Sequence, residues 1–290
     1  MALYERRPSR QPDRPVLVVS LEGWVDAGLG ATSATTALLG SIPTEVLATF
    51  DGDDLIDQRA RRPVLRIVDG LNAGLNWPEI RLLVGEDRNG NDIVFLVGPE
   101  PDFHWRPFVA SVVELARELG VRLVVGLGAF PAAAPHTRPV RLAATATTPE
   151  LASQVGVVAG TLEVPAGIEG ALEEGFAATD IPAVGLWARV PHYVSNFPYP
   201  AASLALLEGL SQLTGLQINT GELRAAATVS HRRIDELIAN SEEHTEMVRQ
   251  LERQVDAEEQ ATMGGIPLNR LPSGDEIAAE LERFLRDQGN

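Results

Sequence analysis

The amino-acid sequence predicts an α/β protein, a three-layer α/β/α sandwich with a mainly parallel sheet, followed by a helical C-terminal region. Over roughly the first 215 residues, short apolar runs alternate with helix-like segments. The run Val16–Leu21 (VLVVSL) is typical of a parallel strand that is buried on both faces. From about Asn219 the strand-like segments stop and acidic helical patterns replace them. We therefore predict a core domain over residues 1–218 and an acidic helical region over residues 219–290 that packs on the core.

The first half of the predicted core contains a helix, a further strand and a hairpin. Gly28–Leu39 is rich in alanine and threonine and predicts the helix that follows the first strand. Glu45–Phe50 predicts the next strand. Ile80–Val84 and Ile93–Val97 flank Asn89-Gly90, two residues that tolerate positive φ and favour a tight antiparallel turn. One part of the sheet is therefore expected to be antiparallel.

The second half of the core continues the alternation of helices and strands. From Trp105 to Leu119 apolar residues recur at helical spacing, and Gly120 stands where a C-terminal cap is expected. The remaining predicted elements are strands at Val121–Leu127, Val140–Thr145 and Ala183–Ala188, and a helix at Ala201–Leu213 that ends near Gly215.

The C-terminal region is acidic, with 15 acidic residues against 8 arginines over residues 221–290. Its apolar and small polar residues follow a three-four spacing that predicts a narrow helical seam: Ile234, Leu237, Ser241, His244, Val248, Leu251 and Val255. After a break rich in glycine and proline, Ser273 is a candidate N-cap for a final helix. Because the seam is short and partly polar, we expect these helices to pack on the core instead of forming a free coiled coil.

Composition excludes several classes of function. The chain has 40 acidic against 24 basic residues, a net charge of −16 that disfavours nucleic acid and anionic membrane as partners. All 24 basic residues are arginine, so Walker-type ATPases and Schiff-base or pyridoxal enzymes, which need a lysine amine, are excluded. The absence of cysteine removes thiolate nucleophiles and Cys-ligated metals. We expect no cofactor and no metal.

The apolar runs are too short to span a bilayer, and the N-terminal stretch MALYERRPSR lacks the apolar core of a signal peptide. These two features predict a soluble protein in the cytoplasm.

Polar loops behind the predicted strands hold the candidate site residues. The carboxyl ends of parallel strands meet at one edge of a sheet, where ligands bind in open α/β folds. Two Pro-His dipeptides, each close to an arginine, follow different strands, although the protein as a whole is strongly acidic. The candidate anion or partner site comprises Glu22, Asp26, His136, Arg138, Arg189 and His192. The alternative is that these loops are structural and that their arginines pair with the nearby acids Glu22, Asp26, Glu100 and Asp102.

Other motifs are absent or incomplete, so the catalytic residues, if there are any, stay unassigned. Gly28-x-Gly30-x-x-Ser33 differs from the dinucleotide fingerprint because serine replaces the third glycine and the first glycine stands seven residues past the strand. Neither a G-x-S-x-G elbow nor an H-E-x-x-H pair occurs.

Six stretches carry a family resemblance: LEGWVDAGLGA (21–31), GPEPDFHW (98–105), GLGAFPAAAPHTRPV (126–140), VPAGIEGALE (164–173), GLWARVPHYVS (185–195) and SGDEIAAELERFLR (273–286). They resemble the bacterial branch of the proteasome assembly chaperone 2 family over nearly the whole chain. The resemblance implies a core similar to the nucleoside phosphorylase and peptidyl-tRNA hydrolase type of sheet, and self-association, with a trimer favoured. Eukaryotic and archaeal relatives help to assemble proteasome α rings, several through a C-terminal hydrophobic-Tyr-any tail. The sequence ends Asp287-Gln288-Gly289-Asn290, so we do not expect docking by that route.

Two functional hypotheses follow. The first is a non-catalytic assembly-chaperone-like or scaffolding protein that acts through contacts with a protein partner, proteasome-related or from another complex. The second is a phosphorylase- or hydrolase-like enzyme that binds a small anionic substrate through Arg138 and Arg189 at the carboxyl ends of the strands.

Overall fold

The structure, a computed structural model, describes residues 3–157 and 160–263, and a large mixed sheet forms the centre of this part of the chain. Its strands are β1 (Tyr4–Arg6), β2 (Val16–Glu22), β3 (Thr44–Phe50), β6 (Arg81–Glu86), β7 (Asp92–Pro99), β8 (Leu123–Ala132), β9 (Leu142–Ala146) and β10 (Ala183–Pro191). A separate hairpin consists of β4 (Val64–Val68) and β5 (Leu71–Asn76). The helices are α1 (Gly30–Ser41), α2 (Gly52–Leu55), α3 (Trp105–Glu118), α4 (Pro149–Val155), α5 (Ile168–Ala177), α6 (Pro200–Thr214), α7 (Gly221–Ala239) and α8 (Glu242–Met263).

The strands of the described sheet lie in the order β1-β3-β6-β7-β2-β8-β10-β9. The four central strands β7, β2, β8 and β10 run parallel to one another. On one side β6 pairs antiparallel with β7 across the Asn89-Gly90 turn, where Gly90 has a φ of 79°, and on the other side β9 pairs antiparallel with β10. The predicted α/β fold with a parallel centre and an antiparallel hairpin is confirmed.

Helices cover both faces of the sheet and produce the three layers. Alternate residues of β2 point to opposite faces, so Val16 and Val18 belong to one apolar cluster and Leu17 and Val19 to the other. Helices α1 and α6 pack in the first cluster, and α3 and α5 pack in the second. Burial on both faces explains why the central strands are continuous apolar runs instead of alternating ones.

The helix α1 packs closely on the sheet because residues on its buried side are small. Ala31 and Ala34 are buried, and a Cβ placed on Gly30 would lie 2.8 Å from the Cβ of Ala129 in β8. The glycine of the incomplete nucleotide motif therefore serves helix–sheet packing. This packing brings the start of α1 to the carboxyl end of the sheet.

The acidic C-terminal helices turn back on the body. The predicted seam is interrupted, since α7 ends at Ala239 and α8 begins at Glu242. The prediction of one continuous stripe is wrong at Leu237, which is 62% exposed, whereas Ile234, Val248 and Leu251 are buried. Ile234 packs in the same apolar cluster as α1 and α6. The division into domains at residues 218 and 219 stays a prediction, and the final helix expected from Ser273 lies outside the described residues.

No helix in the described part of the chain combines the length and the apolar character that crossing a bilayer requires.

Candidate functional site

The sequence-predicted site residues line different cavities at the carboxyl edge of the sheet. Glu22 and Asp26 line a small cavity beside β2, which we name the strand-end crevice and define by Glu22, Asp26, Glu100, Glu169 and Trp187. His136, Arg138 and Arg189 line cavities around residues 136–141, a segment that we name the basic loop. The six residues are therefore not brought into one pocket.

Arg138 of the basic loop is bound by carboxylates of α8. Its Nε and Nη2 donate hydrogen bonds of 2.9 and 2.8 Å to the two carboxylate oxygens of Asp256, and Nη1 lies 3.2 Å from Oε1 of Glu252. The hydroxyl of Thr137 also donates to Glu252. The hydrogen bonds from Arg138 lower the pKa of the Asp256 carboxyl. Acids of the chain do pair with Arg138, but they are residues of α8 and not Glu22, Asp26, Glu100 or Asp102, as the structural alternative expected.

His136 is buried and fully hydrogen-bonded. Its Nδ1 lies 2.7 Å from the hydroxyl of Tyr193 and its Nε2 lies 3.0 Å from Oδ1 of Asp235. The backbone N–H of His136 also donates to the Tyr193 hydroxyl, at 2.8 Å. The hydroxyl therefore donates its own proton to Nδ1, and Nε2 carries the ring proton and donates it to Asp235. Burial lowers the pKa of His136, against the opposing effect of Asp235, so the ring is neutral at pH 7.

We name these hydrogen bonds of His136 with Tyr193 and Asp235 the joint, because they hold three segments of the chain together. It connects the loop after β8, through His136, with the end of β10, through Tyr193, and with α7, through Asp235. His192, by contrast, is exposed, and its ring contacts that of Tyr193 with centroids 5.4 Å apart. Both ring nitrogens of His136 therefore have hydrogen-bond partners within the protein, whereas His192 lies beside the joint at the surface.

Arg189 of β10 has one feature that the joint does not explain. Its Nε is buried and has no hydrogen-bond partner among the described residues. The residue lines a cavity of about 340 Å³ together with Arg138 and Val255. Arg138 and Arg189 thus face one cavity, as the anion hypothesis requires, although Arg138 already binds Asp256.

At the strand-end crevice, Asp26 caps the first main helix. Its Oδ1 accepts a hydrogen bond of 2.8 Å from the backbone N–H of Ala31, and its Oδ2 accepts one of 3.0 Å from Thr32. In a dinucleotide site a phosphate would take these N–H groups at the helix N-terminus. Because a carboxylate of the chain occupies that position, the geometry argues against a nucleotide site.

Glu100 performs the same task for α5. Its Oε2 accepts a hydrogen bond of 3.0 Å from the backbone N–H of Ile168, and its own N–H donates to the carbonyl of Glu22 at 2.6 Å. The side chain of Glu22 is exposed at the rim of the crevice. The carboxylates of Asp26 and Glu100 are therefore helix caps at the ends of β2 and β7.

Glu169, a partly buried acid of α5, was not among the site residues predicted from the sequence. Its Oε2 is buried without a hydrogen-bond partner in the described part of the chain and would lie 3.3 Å from a Cβ on Gly126. Burial raises the pKa of Glu169 well above its usual value, and the charges of Asp26 and Glu100 raise it further. Both effects favour the protonated, uncharged form of this carboxyl group over the form that an exposed glutamate takes.

One turn further along α5, the half-buried Glu173 accepts a hydrogen bond of 2.7 Å from the hydroxyl of Thr145, and partial burial raises its pKa too. The same hydroxyl accepts a hydrogen bond of 3.1 Å from Nε1 of Trp187. The cavities around these acids measure about 20 and 30 Å³, enough for a water molecule but not for a substrate. These cavities have room for water beside two carboxyl groups whose pKa values are raised.

Glycines in the middle of buried strands are the signal that could have revealed this region. Glycine weakens a strand and often marks a close approach. In β8, Gly126 leaves room for Glu169, and a Cβ on Gly128 would lie 2.3 Å from the ring of Trp187. Within residues 3–157 and 160–263 no group of three or more His, Asp or Glu side chains is arranged to hold a metal ion.

Comparison with known proteins identifies relatives of this architecture. The model of the PAC2 family matches residues 20–238. A Mycobacterium tuberculosis protein of unknown function is 36% identical and superimposes with a TM-score of 0.82, covering 90% of this chain and 93% of its own. No match was found among functionally curated proteins.

Two further solved structures have names that state a family. A proteasome-assembly chaperone homologue of Mycobacterium tuberculosis is 36% identical, with a TM-score of 0.75, and the match covers 80% of this chain and 99% of that one. A PAC2 family protein of Streptomyces avermitilis is 38% identical, with a TM-score of 0.72, and the match covers 81% and 99% of the two chains. This chain is similar to all three.

Proposed function

We propose, from the premise that this chain belongs to the PAC2 family, that it is a non-catalytic assembly-chaperone-like or scaffolding protein that acts through protein–protein contacts. The observation that carries the proposal is the engagement of Arg138 by Asp256 and Glu252. The basic loop uses its charge to hold an acidic helix of its own chain. An α/β fold like that of phosphorylases does not imply their chemistry, which must come from a site.

The polar groups of the strand-end crevice support the same proposal. Asp26 and Glu100 cap helices, and the cavities beside them hold no more than water. A 36%-identical relative is described as a proteasome-assembly chaperone homologue. We therefore propose a protein partner, either proteasome-related or another multi-subunit complex, for a cytoplasmic protein that does not bind nucleic acid or membrane.

Self-association belongs to this proposal. We propose a homo-oligomer, with a trimer favoured, in which a stable contact buries more than about 1,000 Å² in total per pair. Light scattering at micromolar concentration and physiological salt measures the mass of the assembly. A mass equal to one chain would contradict the oligomer.

Co-purification from the native cytosol tests the assembly role. A tagged full-length chain should enrich the subunits of one defined complex, identified by mass spectrometry, relative to an unrelated acidic bait that carries the same tag. The comparison should be made at low and at physiological ionic strength, because salt screens charged interfaces and can dissociate a partner that binds through them. Equal recovery of all proteins by the two baits at both ionic strengths would contradict the assembly role.

A second candidate function rests on the buried, unpartnered Nε of Arg189 beside the cavity of about 340 Å³. We infer, as this second candidate, that the chain is a phosphorylase- or hydrolase-like enzyme whose small anionic substrate binds in this cavity. Thermal unfolding with and without millimolar inorganic phosphate tests this, because a ligand that binds the folded state raises Tm. Arg189→Gln should abolish the increase, whereas Arg253→Gln, at an exposed arginine paired with Glu246 on its own helix, should keep it. No increase with phosphate, nucleosides or carboxylates would remove this candidate.

A further inference from the structure

A cavity of about 550 Å³ lies between α6, α7 and the basic loop. We name it the α6–α7 cavity and define it by Val140, Tyr199, Leu204, Ala227 and Arg232, which line it. Small-molecule sites in proteins measure roughly 300–1,000 Å³. The α6–α7 cavity is therefore large enough for an organic ligand, unlike the water-sized cavities beside the acids of α5.

The walls of the α6–α7 cavity are apolar, and several of their side chains are small. Ala201 and Ala205, one helical turn apart, line it from α6 together with Leu204, and Ala227 lines it from α7. All four residues are half-buried, so part of their apolar surface stays open to the cavity. Because an alanine side chain ends at Cβ, the two helices leave space between them at this level. An apolar body in that space would remove this surface from water, which is favourable.

Tyr199 supplies a polar group to the cavity. The residue directly precedes α6, and its backbone N–H donates a hydrogen bond of 2.8 Å to the carbonyl of Gly28. Tyr199 is only 3% exposed, yet its hydroxyl has no hydrogen-bond partner among the described residues. Nearly all buried polar groups have a partner, because leaving one without a partner costs free energy. The Tyr199 hydroxyl is therefore a group that an atom of a ligand would satisfy.

The Tyr199 hydroxyl acts as a donor. Burial raises its pKa above the ordinary value of a phenol, and the nearby Tyr193 raises it further. The hydroxyl therefore keeps its proton over the physiological pH range and can donate it to an oxygen atom. Tyr199 thus favours a ligand that carries an acceptor oxygen.

The charged groups of the lining favour an anion. Arg138, Arg224 and Arg232 line the cavity, against one acid of the described lining, Glu208. Arg138 is bound by carboxylates of α8, and Arg224 forms an ion pair with Glu208. Arg232 is exposed and has no ion pair with any residue that the structure describes. Its positive charge is therefore available to a ligand.

The two histidines of the lining are engaged within the protein. Nε2 of His136 lies 3.0 Å from Oδ1 of Asp235, and Nε2 of His231 lies 3.4 Å from Oδ2 of the same carboxylate. Asp235 is thus occupied by both rings and does not neutralise Arg232. An anionic ligand would meet its counter-charge at Arg232, on the α7 side of the cavity.

We propose that the α6–α7 cavity binds an organic anion with an apolar body, namely an aliphatic or aromatic carboxylic acid in its ionised form. The apolar body lies along the alanines of α6 and α7, and the oxygen atoms accept hydrogen bonds from the Tyr199 hydroxyl and the Arg232 guanidinium. Inorganic anions lack the body that the apolar walls need, and neutral apolar molecules leave Arg232 without a counter-charge. The inference goes beyond the proposed function, since it assigns a ligand to a cavity that the assembly role does not use.

Isothermal titration calorimetry of the full-length chain with octanoate and with benzoate tests the site. We expect saturable binding of at least one acid, and weaker binding of the alcohol with the same carbon skeleton, octanol or benzyl alcohol. Tyr199→Phe and Arg232→Gln should each weaken binding of the acid about three- to tenfold, because each removes a hydrogen bond to the anion. Arg233→Gln, at the next residue of α7, lies outside the lining and should bind like the wild type. No saturable binding of either acid, or equal affinity for acid and alcohol, would overturn the inference.

A space-filling pair of variants covers the case in which Tyr199→Phe or Arg232→Gln disturbs the fold. Ala227→Leu fills the cavity from α7, and Ala226→Leu adds the same side chain at the neighbouring exposed position. Both substitutions keep a good helix former. Ala227→Leu should weaken binding of the acid by about tenfold or more, because the added atoms occupy its space, whereas Ala226→Leu should leave it unchanged. Equal binding by the two variants would show that the acid binds elsewhere and would overturn the inference.

Inorganic phosphate separates this site from the Arg189 cavity. Millimolar phosphate should not displace the bound acid, and Arg189→Gln, which lines the other cavity, should not change the affinity for it. If phosphate displaces the acid and Arg189→Gln abolishes its binding, the acid occupies the Arg189 cavity. In that case the inference fails and the second candidate function stands.

Discussion

The guanidinium of Arg138 and the carboxylate of Asp256 form a two-point hydrogen-bonded pair, with Nε–Oδ1 and Nη2–Oδ2 distances of 2.9 and 2.8 Å. The pair joins the loop after β8 to α8, which lies in the acidic C-terminal region of the chain. Bidentate arginine–carboxylate pairs fix geometry as well as distance. The pair therefore sets where the acidic helix lies on the body.

Breaking this pair should loosen α8. We expect Arg138→Gln to increase amide hydrogen exchange over residues 249–256 severalfold, because the guanidinium group that binds Asp256 is lost. Exchange in α3 should stay unchanged. The exchanged pair Arg138→Asp with Asp256→Arg should recover part of the protection. Arg253→Gln removes a pair within α8 and is the control. Unchanged exchange over α8 in Arg138→Gln would show that the other contacts of α8, among them the hydrogen bond from Thr137 to Glu252, are sufficient to position the helix.

Removing the Tyr193 hydroxyl should weaken the joint around His136. Tyr193→Phe leaves the buried N–H and Nδ1 of His136 without their partner, which costs about 1–3 kcal/mol. Urea denaturation should show that loss in the free energy of unfolding. Tyr4→Phe, which removes a hydroxyl far from the joint, should change it by less than about 0.5 kcal/mol. Equal losses in the two variants would mean that the Tyr193 ring, not its hydroxyl, supports the joint.

The same joint makes stability depend on pH. The folded-state pKa of His136 is lowered, so the unfolded chain binds a proton first as pH falls. The contribution of His136 to stability is therefore full above about pH 6.5 and decreases below it. His136→Gln should flatten this part of the curve of unfolding free energy against pH. A difference between wild type and variant that is constant between about pH 5 and pH 8 would contradict this expectation.

The elements that the sequence predicted best are those whose residues are buried on both faces or end at a turn-forming glycine. Val16–Leu21 became β2, and the Asn89-Gly90 turn joined β6 to β7, because local residue types alone determine these features. Gly120 and Gly215, with φ of 67° and 77°, follow the helices that they were expected to end.

Elements that depend on distant partners were not predicted. The β4–β5 hairpin has no buried side, so only its Asp69-Gly70 turn could have revealed it. The acids that bind Arg138 come from α8, and no local spacing relates Arg138 to Asp256. Glu169 looks like a solvent-facing acid until β8 places Gly126 against it. Pairing between distant residues is a tertiary property, which periodicity does not contain.

A Cβ at Gly128 should displace the ring of Trp187. Because an added Cβ would lie 2.3 Å from ring atoms, Gly128→Ala should cost about 1–3 kcal/mol through overpacking and change the near-UV circular dichroism. Gly40→Ala, in α1 with nothing within 4 Å of the new Cβ, should be neutral or slightly stabilising. A Gly128→Ala protein with the wild-type spectrum and stability would show that Trp187 moves without cost.

Glu169 should make stability fall as pH rises. Its folded-state pKa lies well above the unfolded value near 4.5, so the folded chain holds a proton that the unfolded chain has lost. Its contribution is full below about pH 4.5, decreases by about 1.4 kcal/mol for each pH unit as pH rises to the raised pKa, and is constant above it. Glu169→Gln keeps the size and shape of the side chain and removes its titratable carboxyl group.

We expect the Tm of Glu169→Gln to equal the wild-type value near about pH 4 and to exceed it as pH rises above about 4.5, by a margin that widens up to the raised pKa, as thermal unfolding at a series of pH values would measure. Glu174→Gln, on the exposed side of α5, is the matched control and should follow the wild type at every pH. If the Tm values of Glu169→Gln and the wild type differ by a constant amount over this series of pH values, the Glu169 carboxyl group titrates alike in the folded and unfolded chains. That result would contradict the raised pKa.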